Sequence, residues 1–252
     1  ALKTYGTDVL VNILNEAGGL PTRNFRFGRF AGADKISGET MREIIVKRNG
    51  KTHHACHAGC VMQCSQVYND KDGNYLTSGF EYETIWGFGA NCCIDDLDII
   101  AQADHLLDDI GIDSIETAVA VGVAMEAGII PFGDGAGTLR LIEEIREATP
   151  LGRILGSGAA AVGRMYGVTR VPVVKNQGLP AYDPRPVKGM GITYATSTMG
   201  ADHTAGYCIP LNILRIGGFV DPLRKEGEVD LSRRLQIGTA MIDSAGLCVF
   251  VM

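Results

Sequence analysis

DDLDIIAQADHLLDDIG, residues 95–111, is the most strongly patterned segment of the chain. Apolar residues recur at intervals of three and four, as on one face of an α-helix. Aspartates precede the first of them as caps, and a glycine follows the last, where helices commonly end. One stripe of the predicted helix consists of Leu97, Ile100, Asp104 and Leu107. The pattern predicts an amphipathic helix that begins after Asp96 and ends at Gly111.

Helical patterns continue on both sides of this segment. Asp8 caps a predicted helix over 8–17, and Ser37 caps another that ends near residue 48. Asp113 and Glu116 form a capping-box pattern for a helix that stops at Gly128. Further helices are expected over 138–148, 151–166 and 231–245, the last of them capped by residue 230.

Strand signals are few. Residues 68–75 contain the Asp-Gly dipeptide typical of a short hairpin, and the alternation of a parallel sheet is absent. The sequence therefore predicts an all-α, multihelical fold with minor strand.

Four prolines fall between residues 172 and 186, which indicates a domain boundary or a long connection. We expect two helical domains, 1–170 and 171–252, the second incomplete. Because the chain starts without Met and stops in an apolar run, we expect a fragment of a longer protein.

Composition limits the function classes. The chain has 252 residues, of which 46% are apolar and 21% charged, as in soluble globular proteins. A net charge of -6 argues against nucleic acid as a partner. No apolar run approaches the length of about 18 residues expected for a membrane span. Seven cysteines without an export signal favour the cytoplasm and a metal or redox use over disulfides.

Three of those cysteines lie close together in CHAGCVMQC, residues 56–64. On an unbroken helix Cys56 and Cys64 would stand about 12 Å apart, too far for one compact metal centre. We therefore expect a loop, opened by Gly59, that brings three sulfurs together. The spacing differs from that of structural zinc sites and of ferredoxins. An iron–sulfur cluster with a fourth ligand from elsewhere, another metal site and unliganded cysteines all remain open on spacing alone.

Two predicted helix ends share one form, Asp-x-x-Gly followed by Ile or Leu. They are Asp108 to Asp113 and Asp243 to Cys248. In each, an Asp occupies the last helical turn, where it opposes the helix dipole at a cost of roughly 0.3–1 kcal/mol. A repeated departure from a local rule indicates a function, such as accepting hydrogen bonds from a ligand. The alternative interpretation is that both motifs are ordinary helix ends exposed to solvent. Cys248 is also a candidate for the fourth thiolate.

Acid–base candidates are fewer. Glu81 and Glu83 lie two residues apart and would point the same way if the segment is extended. His203, in a Gly-rich turn, is a candidate proton donor. Surface charge for the glutamates and a structural role for the histidine are the alternatives.

Taken in order, these motifs resemble those of the tungsten-containing aldehyde ferredoxin oxidoreductase family. The resemblance covers the whole chain and is far more specific than any single motif. It rests on LPTRNF at 20–25, KISGE at 35–39, the cysteine loop, EYET at 81–84, DDL at 95–97, both Asp-x-x-Gly motifs, PAYDPR at 180–185, Gly189-Met190, YATS at 194–197 and Gly200-Ala201.

The resemblance implies a tungsten or molybdenum centre held by two pterin dithiolenes, beside a [4Fe–4S] cluster. It implies cluster ligation by Cys60, Cys64 and Cys248, and proton transfer by Glu83 and His203 near the metal. It further implies that the two Asp-x-x-Gly turns bind the pterins. The pterin-binding residues are then Asp108, Gly111, Ile112, Asp113, Asp243, Gly246 and Leu247.

The implied reaction oxidises a small aldehyde to a carboxylic acid and passes electrons through the cluster to ferredoxin. A homodimer is compatible with the resemblance.

The sequence departs from the family at one ligand. The family's Cys-x2-Cys-x3-Cys loop would place the first ligand at His57, whereas this chain has Cys56 one residue earlier. We assign Cys56, because thiolate suits a cluster best. We also expect the family's β-rich N-terminal domain to be missing, so that the fragment alone is inactive and lacks the pterin centre. An iron–sulfur subunit without pterin chemistry is the alternative function.

Overall fold

Helices dominate the structure, a computed structural model that describes residues 1–251. This confirms the predicted multihelical class with minor strand. The α-helices in the described residues are α1 Leu2–Tyr5, α2 Leu10–Ala17, α3 Gly38–Lys47, α4 Tyr82–Phe88, α5 Leu97–Ile110, α6 Ser114–Glu126, α7 Gly135–Arg146, α8 Pro150–Leu155, α9 Ala159–Tyr166, α10 Lys188–Thr196 and α11 Glu228–Ser244.

The ends of α5 confirm the prediction made from its sequence. The Asp96 side chain accepts the backbone N–H of Asp98, and Gly111 ends the helix with φ 78°. Asp113 likewise caps α6, because its carboxylate accepts the Glu116 N–H at 2.6 Å. The side chain of Glu116 turns away from this cap and reaches other elements, so only half of the predicted capping box forms.

Three predicted helix starts or spans were wrong. Helix α2 begins at Leu10, and Asp8 lies buried in a 3₁₀ turn before it instead of capping it. The helix expected over 151–166 is interrupted before α9, because Gly158 has a φ of 89° that a helix does not allow. Helix α11 starts at Glu228 after Gly227, so Asp230 lies inside its first turn.

Two small antiparallel sheets complete the secondary structure. The larger one has the order β1-β2-β3, with β1 Lys51–His54, β2 Ser65–Asn69 and β3 Tyr75–Ser78. Strands β2 and β3 form the predicted hairpin, whereas β1 was not predicted. The second sheet pairs β4 Val173–Val174 with β5 Gln177–Gly178. Because β1 pairs with β2, the residues between them must form a closed loop, which is the cysteine segment.

Helix α6 lies at the centre of the core. Its residues 117–125 are all buried, and α4, α8 and α9 pack against it. Helices α4 and α6 approach so closely that a side chain at Gly87 would collide with the Ala118 Cβ at 2.6 Å. In the second half of the chain α10 packs on α11. The domain division at residue 170 stays a prediction. Within residues 1–251, no helix combines the length and apolar character needed to cross a membrane.

Candidate functional site

The cysteine segment is a loop, as expected. It leaves β1 after His54 and joins β2 at Ser65. A turn forms where the Cys60 N–H donates to the His57 carbonyl at 3.1 Å, and Gly59 adopts φ 81°. A left-handed conformation of this kind favours glycine. The backbone therefore reverses within the segment.

One cavity of about 380 Å³ brings five of the thirteen predicted site residues together, namely Cys56, Cys64, Glu83, His203 and Cys248. Its lining includes Cys56 and Cys64 from the cysteine loop and Cys248, which is far from that loop in the sequence. Burial, the Glu81 carboxylate and the other two sulfurs raise the pKa of the Cys64 thiol to about 11. The three sulfurs thus lie within electrostatic reach of one another. Cys60 is half-buried on the same loop and, in the described structure, does not line the cavity.

Glu83 and His203 face each other across the same cavity. His203 Nε2 lies 3.4 Å from Glu83 Oε1, and the two side chains are 19% and 14% exposed. The other carboxylate oxygen accepts the Ala181 N–H at 3.0 Å. Burial raises the pKa of Glu83, and His203 offsets only part of that effect. The pair is placed to hold or release a proton inside a largely dry space.

The extended conformation considered for the glutamate pair does not form. The segment is not extended: Glu83 lies in the first turn of α4 and Glu81 immediately precedes that helix. Both nevertheless line the cavity. Glu81 accepts a 2.5 Å hydrogen bond from the Thr7 hydroxyl, so it is a buried group and not surface charge.

A wall of tyrosines that the sequence analysis did not identify surrounds the Glu83–His203 pair. The Tyr182 ring lies 5.5 Å from the His203 ring and 5.4 Å from the Tyr207 ring. Tyr182 and Tyr207 bring their hydroxyls within 3.2 Å, and Tyr82 donates to the Ala181 carbonyl. These rings contribute to the burial of the pair, and burial raises the pKa of Glu83. Tyr82 and Tyr182 belonged to matched motifs, but no local signal placed them together.

The two Asp-x-x-Gly turns have the same backbone geometry. Gly111 and Gly246 are left-handed, with φ 78° and 67°. In each turn the next N–H reaches the carbonyl five residues back, from Ile112 at 3.2 Å and from Leu247 at 3.1 Å. Asp108 and Asp243, three residues before the glycines, are exposed. Each turn therefore presents a free carboxylate beside a tight backbone reversal.

The second turn leads directly into the cavity lining, whereas no residue from 108 to 113 is part of that lining. After the first, the Ser114 hydroxyl lies 2.7 Å from that of Thr84 on α4, and Asp113 acts electrostatically on Glu83. After the second, Cys248 lines the cavity itself. The Asp113 carboxylate is already engaged as the cap of α6.

The thiols fit a cluster better than a single ion. No three His, Cys, Asp or Glu side chains among residues 1–251 converge closely enough to hold one metal ion. A four-iron cluster is larger, and its thiolate ligands stand farther apart. Three thiols line one cavity and a fourth lies on the same loop, which gives four candidate thiolate ligands.

The chain is similar to a known protein family along its whole length. Residues 1–252 match the family model for aldehyde ferredoxin oxidoreductase, domains 2 and 3. The chain is 38% identical to the tungsten-containing aldehyde ferredoxin oxidoreductase of Thermococcus kodakarensis, over 99% of this chain and 43% of that protein. Proteins of the same name from Pyrococcus furiosus and Pyrococcus horikoshii are 36% and 38% identical, over the same shares. The chain thus spans about 43% of the length of these curated relatives. It belongs to the aldehyde ferredoxin oxidoreductase family.

Proposed function

We propose that the chain is the helical part of an enzyme that oxidises an aldehyde to a carboxylic acid at a tungsten bis-pterin centre, with molybdenum as the alternative metal. A single observation carries the proposal. One cavity joins three thiols from two distant segments to the buried Glu83–His203 pair. Ferredoxin is the proposed electron acceptor. A cytoplasmic location and a homodimer belong to the proposal but do not enter this argument.

Cys56, Cys60, Cys64 and Cys248 are the proposed ligands of a [4Fe–4S] cluster. Cys56, Cys64 and Cys248 already line the cavity, and Cys60 lies on the same loop. Thiolates would have to form at these positions, whereas burial keeps Cys64 protonated without metal. A bound metal reverses this preference, because it deprotonates a coordinating thiol.

The two Asp-x-x-Gly turns are the proposed pterin contacts. Asp108 and Asp243 present exposed carboxylates that can accept hydrogen bonds from amino groups. The left-handed glycines 111 and 246 leave open space where a side chain would begin. Ile112 and Leu247 follow them as apolar contacts, and Asp113 completes the first turn.

Glu83 and His203 are the proposed proton-transferring residues. A tungsten centre, when bound, would supply the two-electron oxidation, and the cluster would carry the electrons away singly. The chain's own contribution is to hold and move protons. Glu83 keeps one oxygen fixed by the Ala181 N–H and the other within 3.4 Å of His203. The raised pKa of Glu83 lies closer to neutral pH than that of an exposed glutamate. A carboxyl exchanges protons most effectively when its pKa is near the working pH.

The alternative is an iron–sulfur subunit without pterin chemistry. It would use the cysteines but give no role to the repeated turns or to the buried acid–base pair. The shared geometry of the two turns, together with the buried acid–base pair, favours the enzyme.

Metal analysis and electron paramagnetic resonance of the full-length protein test the proposal. We expect tungsten or molybdenum together with about four irons per chain, and a reduced cluster signal. Cys248→Ser should lose that signal, whereas Cys93→Ser should keep it, because Cys93 lies outside the cavity lining. Full iron binding by the Cys248 variant would contradict the ligand assignment. Iron without tungsten or molybdenum would favour the subunit alternative.

A further inference from the structure

The β4–β5 hairpin, residues 173–178, has no part in the proposed site and does not line the cavity. Its two central residues, Lys175 and Asn176, have φ 55° and 67°. A two-residue hairpin turn of this kind requires left-handed backbone at both positions, which Asn tolerates and most other residues adopt rarely. A left-handed lysine persists only where the surrounding structure holds it. The contacts of the hairpin therefore indicate what it is held against.

One side of the hairpin contacts the segment that leads to His203. The Lys175 Nζ donates to the Ser197 carbonyl at 2.5 Å. Three residues further on, Gly200 has φ 111°, and a Cβ at this position would collide with the Val174 carbonyl oxygen. No side chain fits there unless the two segments move apart. The hairpin thus holds the backbone before His203 at two points.

The other side of the hairpin leads to Glu83. The Gly178 N–H, at the end of β5, donates to Glu116 Oε2 at 2.6 Å. Three residues later the Ala181 N–H donates to Glu83 Oε2 at 3.0 Å. Pro180 lies between these two points, and its ring fixes one of the few backbone angles that could absorb a displacement. The position of Gly178 therefore determines where the Ala181 N–H points.

Glu116 anchors the hairpin to the core. It lies in the first turn of α6, where its own N–H is held by the Asp113 carboxylate. Its second carboxylate oxygen accepts the Ala159 N–H at 2.8 Å. Both oxygens are thus engaged by donors from separate elements, which fixes the side chain in one orientation. Because α4 packs on the same helix, Glu116 joins the hairpin to the element that carries Glu83.

We propose that the β4–β5 hairpin is a clamp that sets the separation of Glu83 and His203, with Glu116 and Lys175 as its positioning residues. The inference rests on the proposed function, in which this pair transfers protons. The two side chains lie 3.4 Å apart, slightly beyond the hydrogen-bond distance that proton transfer requires. A shift of either side of the clamp therefore changes the transfer directly. Neither positioning residue lines the cavity, so each acts through the pair.

Glu116→Gln tests the anchor in the full-length, cofactor-loaded protein. Glutamine has one acceptor oxygen and one amino group, so it cannot accept both N–H donors. A displaced Ala181 N–H no longer stabilises ionised Glu83, and the rise of kcat with pH should move up by about one pH unit. KM and the tungsten and iron contents should stay unchanged. Glu147→Gln, an exposed change, is the matched control and should leave the profile unmoved. The other charged side chains that act on Glu83 are retained in both variants: His203, Asp113 and Asp202.

Lys175 supplies a second test that stands even if Glu116→Gln does not fold. Lys175→Met removes the hydrogen bond to Ser197 but keeps an apolar stem, whereas Lys175→Arg keeps a cationic donor. We expect the Met variant to lower kcat by about 10-fold at neutral pH, because a small misplacement of a reacting group is costly. The Arg variant should restore most of that loss. Wild-type kcat in Lys175→Met would overturn the clamp.

Gly200→Ala tests the contact between the clamp and the segment of His203. The new Cβ would collide with the Val174 carbonyl, so the two segments must move apart. A displacement of about 1 Å can cost about 10²-fold in rate, and we expect a loss of kcat of that order. Gly167→Ala is the matched control, since Gly167 is also left-handed, with φ 69°, but has open space for a Cβ. Equal kcat in the two variants would overturn the clamp.

Hydrogen exchange measured by mass spectrometry gives a readout that does not need turnover. Residues 177–183 contain the bonded N–H groups of Gly178 and Ala181, and this peptide should exchange faster in Glu116→Gln than in the wild type or in Glu147→Gln. Unchanged exchange, or faster exchange with an unmoved pH profile, would overturn the clamp while leaving the proposed function intact. A wild-type protein that oxidises no aldehyde would instead overturn the proposed function, whereas the exchange result would still decide whether Glu116 anchors the hairpin.

Discussion

Glu83 shows how a single residue acquires its chemistry from its surroundings. One of its oxygens is fixed by a backbone N–H, and the other faces His203 behind a wall of tyrosines. A carboxyl that is both oriented and desolvated has a higher pKa and a defined direction of proton transfer. The same residue on the protein surface would have neither property.

Glu83→Gln should therefore abolish most of the activity of the full-length protein. We expect kcat to fall by about 10²-fold or more, with tungsten and iron contents unchanged. In the wild type, kcat should rise with pH as Glu83 ionises, and its raised pKa moves that rise towards neutral pH. The variant should lose this part of the pH profile. Glu39→Gln, an exposed change on α3, is the control. An unaltered pH profile in Glu83→Gln would exclude Glu83 as the proton-transferring group.

Asp104 gives a prediction about stability. Its pKa is raised to about 7 in the folded state, above the ordinary value of 3.8, so the folded state binds the proton more tightly. Its contribution to stability is complete below that ordinary value and is lost as pH rises through 7. For one such group the free energy of unfolding should fall by about 1.4 kcal/mol per pH unit within this window.

Urea unfolding from pH 5 to pH 8 checks this expectation. Asp104→Asn should have a flatter pH dependence and should be more stable than the wild type at pH 8. The exposed variant Asp109→Asn should follow the wild type. Parallel curves for wild type and Asp104→Asn would show that Asp104 is ionised throughout.

The sequence indicated the burial of some charged residues but not of others. Asp104 had a visible signal, because a charged residue on the apolar stripe of α5 must be buried. Asp8 had none, since its position before α2 resembled an ordinary cap. Its burial depends on Gln66 and Glu81, which only the fold brings near.

The ends of several helices could be predicted from the local sequence. The turns at Gly111 and Gly246 share a left-handed glycine and a hydrogen bond to the carbonyl five residues back. A third helix end has the same geometry: Gly128 has φ 81°, and the Ile129 N–H reaches the Ala124 carbonyl at 3.0 Å. That end carries Met125 where the other two carry Asp. The backbone motif is therefore general, and the Asp is the distinguishing feature.

Alanine at these glycines should separate stability from cofactor binding. All three positions have open space for a Cβ, so each change should cost only the left-handed strain, about 1–2 kcal/mol. We expect the same loss of thermal stability in all three variants. Only Gly111→Ala and Gly246→Ala should also reduce the tungsten and pterin content of the full-length protein. Equal cofactor content in all three would argue against pterin binding by the turns.

Elements with local signals were predicted well, and others were missed for a physical reason. Helices α5 and α6 have caps and glycine or alanine ends that act within one turn. Helix α4 has only seven residues, nearly all of them buried, so it shows no apolar face. Helix α10 contains two glycines and is held by packing on α11. Such helices form because of tertiary contacts, which a single sequence does not reveal.

At the scale of the whole molecule, the cavity combines segments from nearly the full length of the chain. Thr7, Cys64, Glu83, His203 and Cys248 reach it from separate elements. No periodicity or cap could predict that convergence. The resemblance to a family predicted which residues matter, while the structure adds the tyrosine wall and the buried acids behind it.

The distribution of cysteines allows the cluster assignment to be tested by thiol labelling. Without cluster, exposed Cys56 and Cys248 should react first, and the buried thiols Cys92 and Cys208 only on unfolding. After anaerobic reconstitution with iron and sulfide, all four proposed ligands should be protected. Half-buried Cys93 should keep its reactivity and serves as the internal control. Mass spectrometry of the labelled peptides identifies each site. If Cys56 alone stays reactive while Cys60, Cys64 and Cys248 are protected, His57 is the remaining candidate for the fourth ligand.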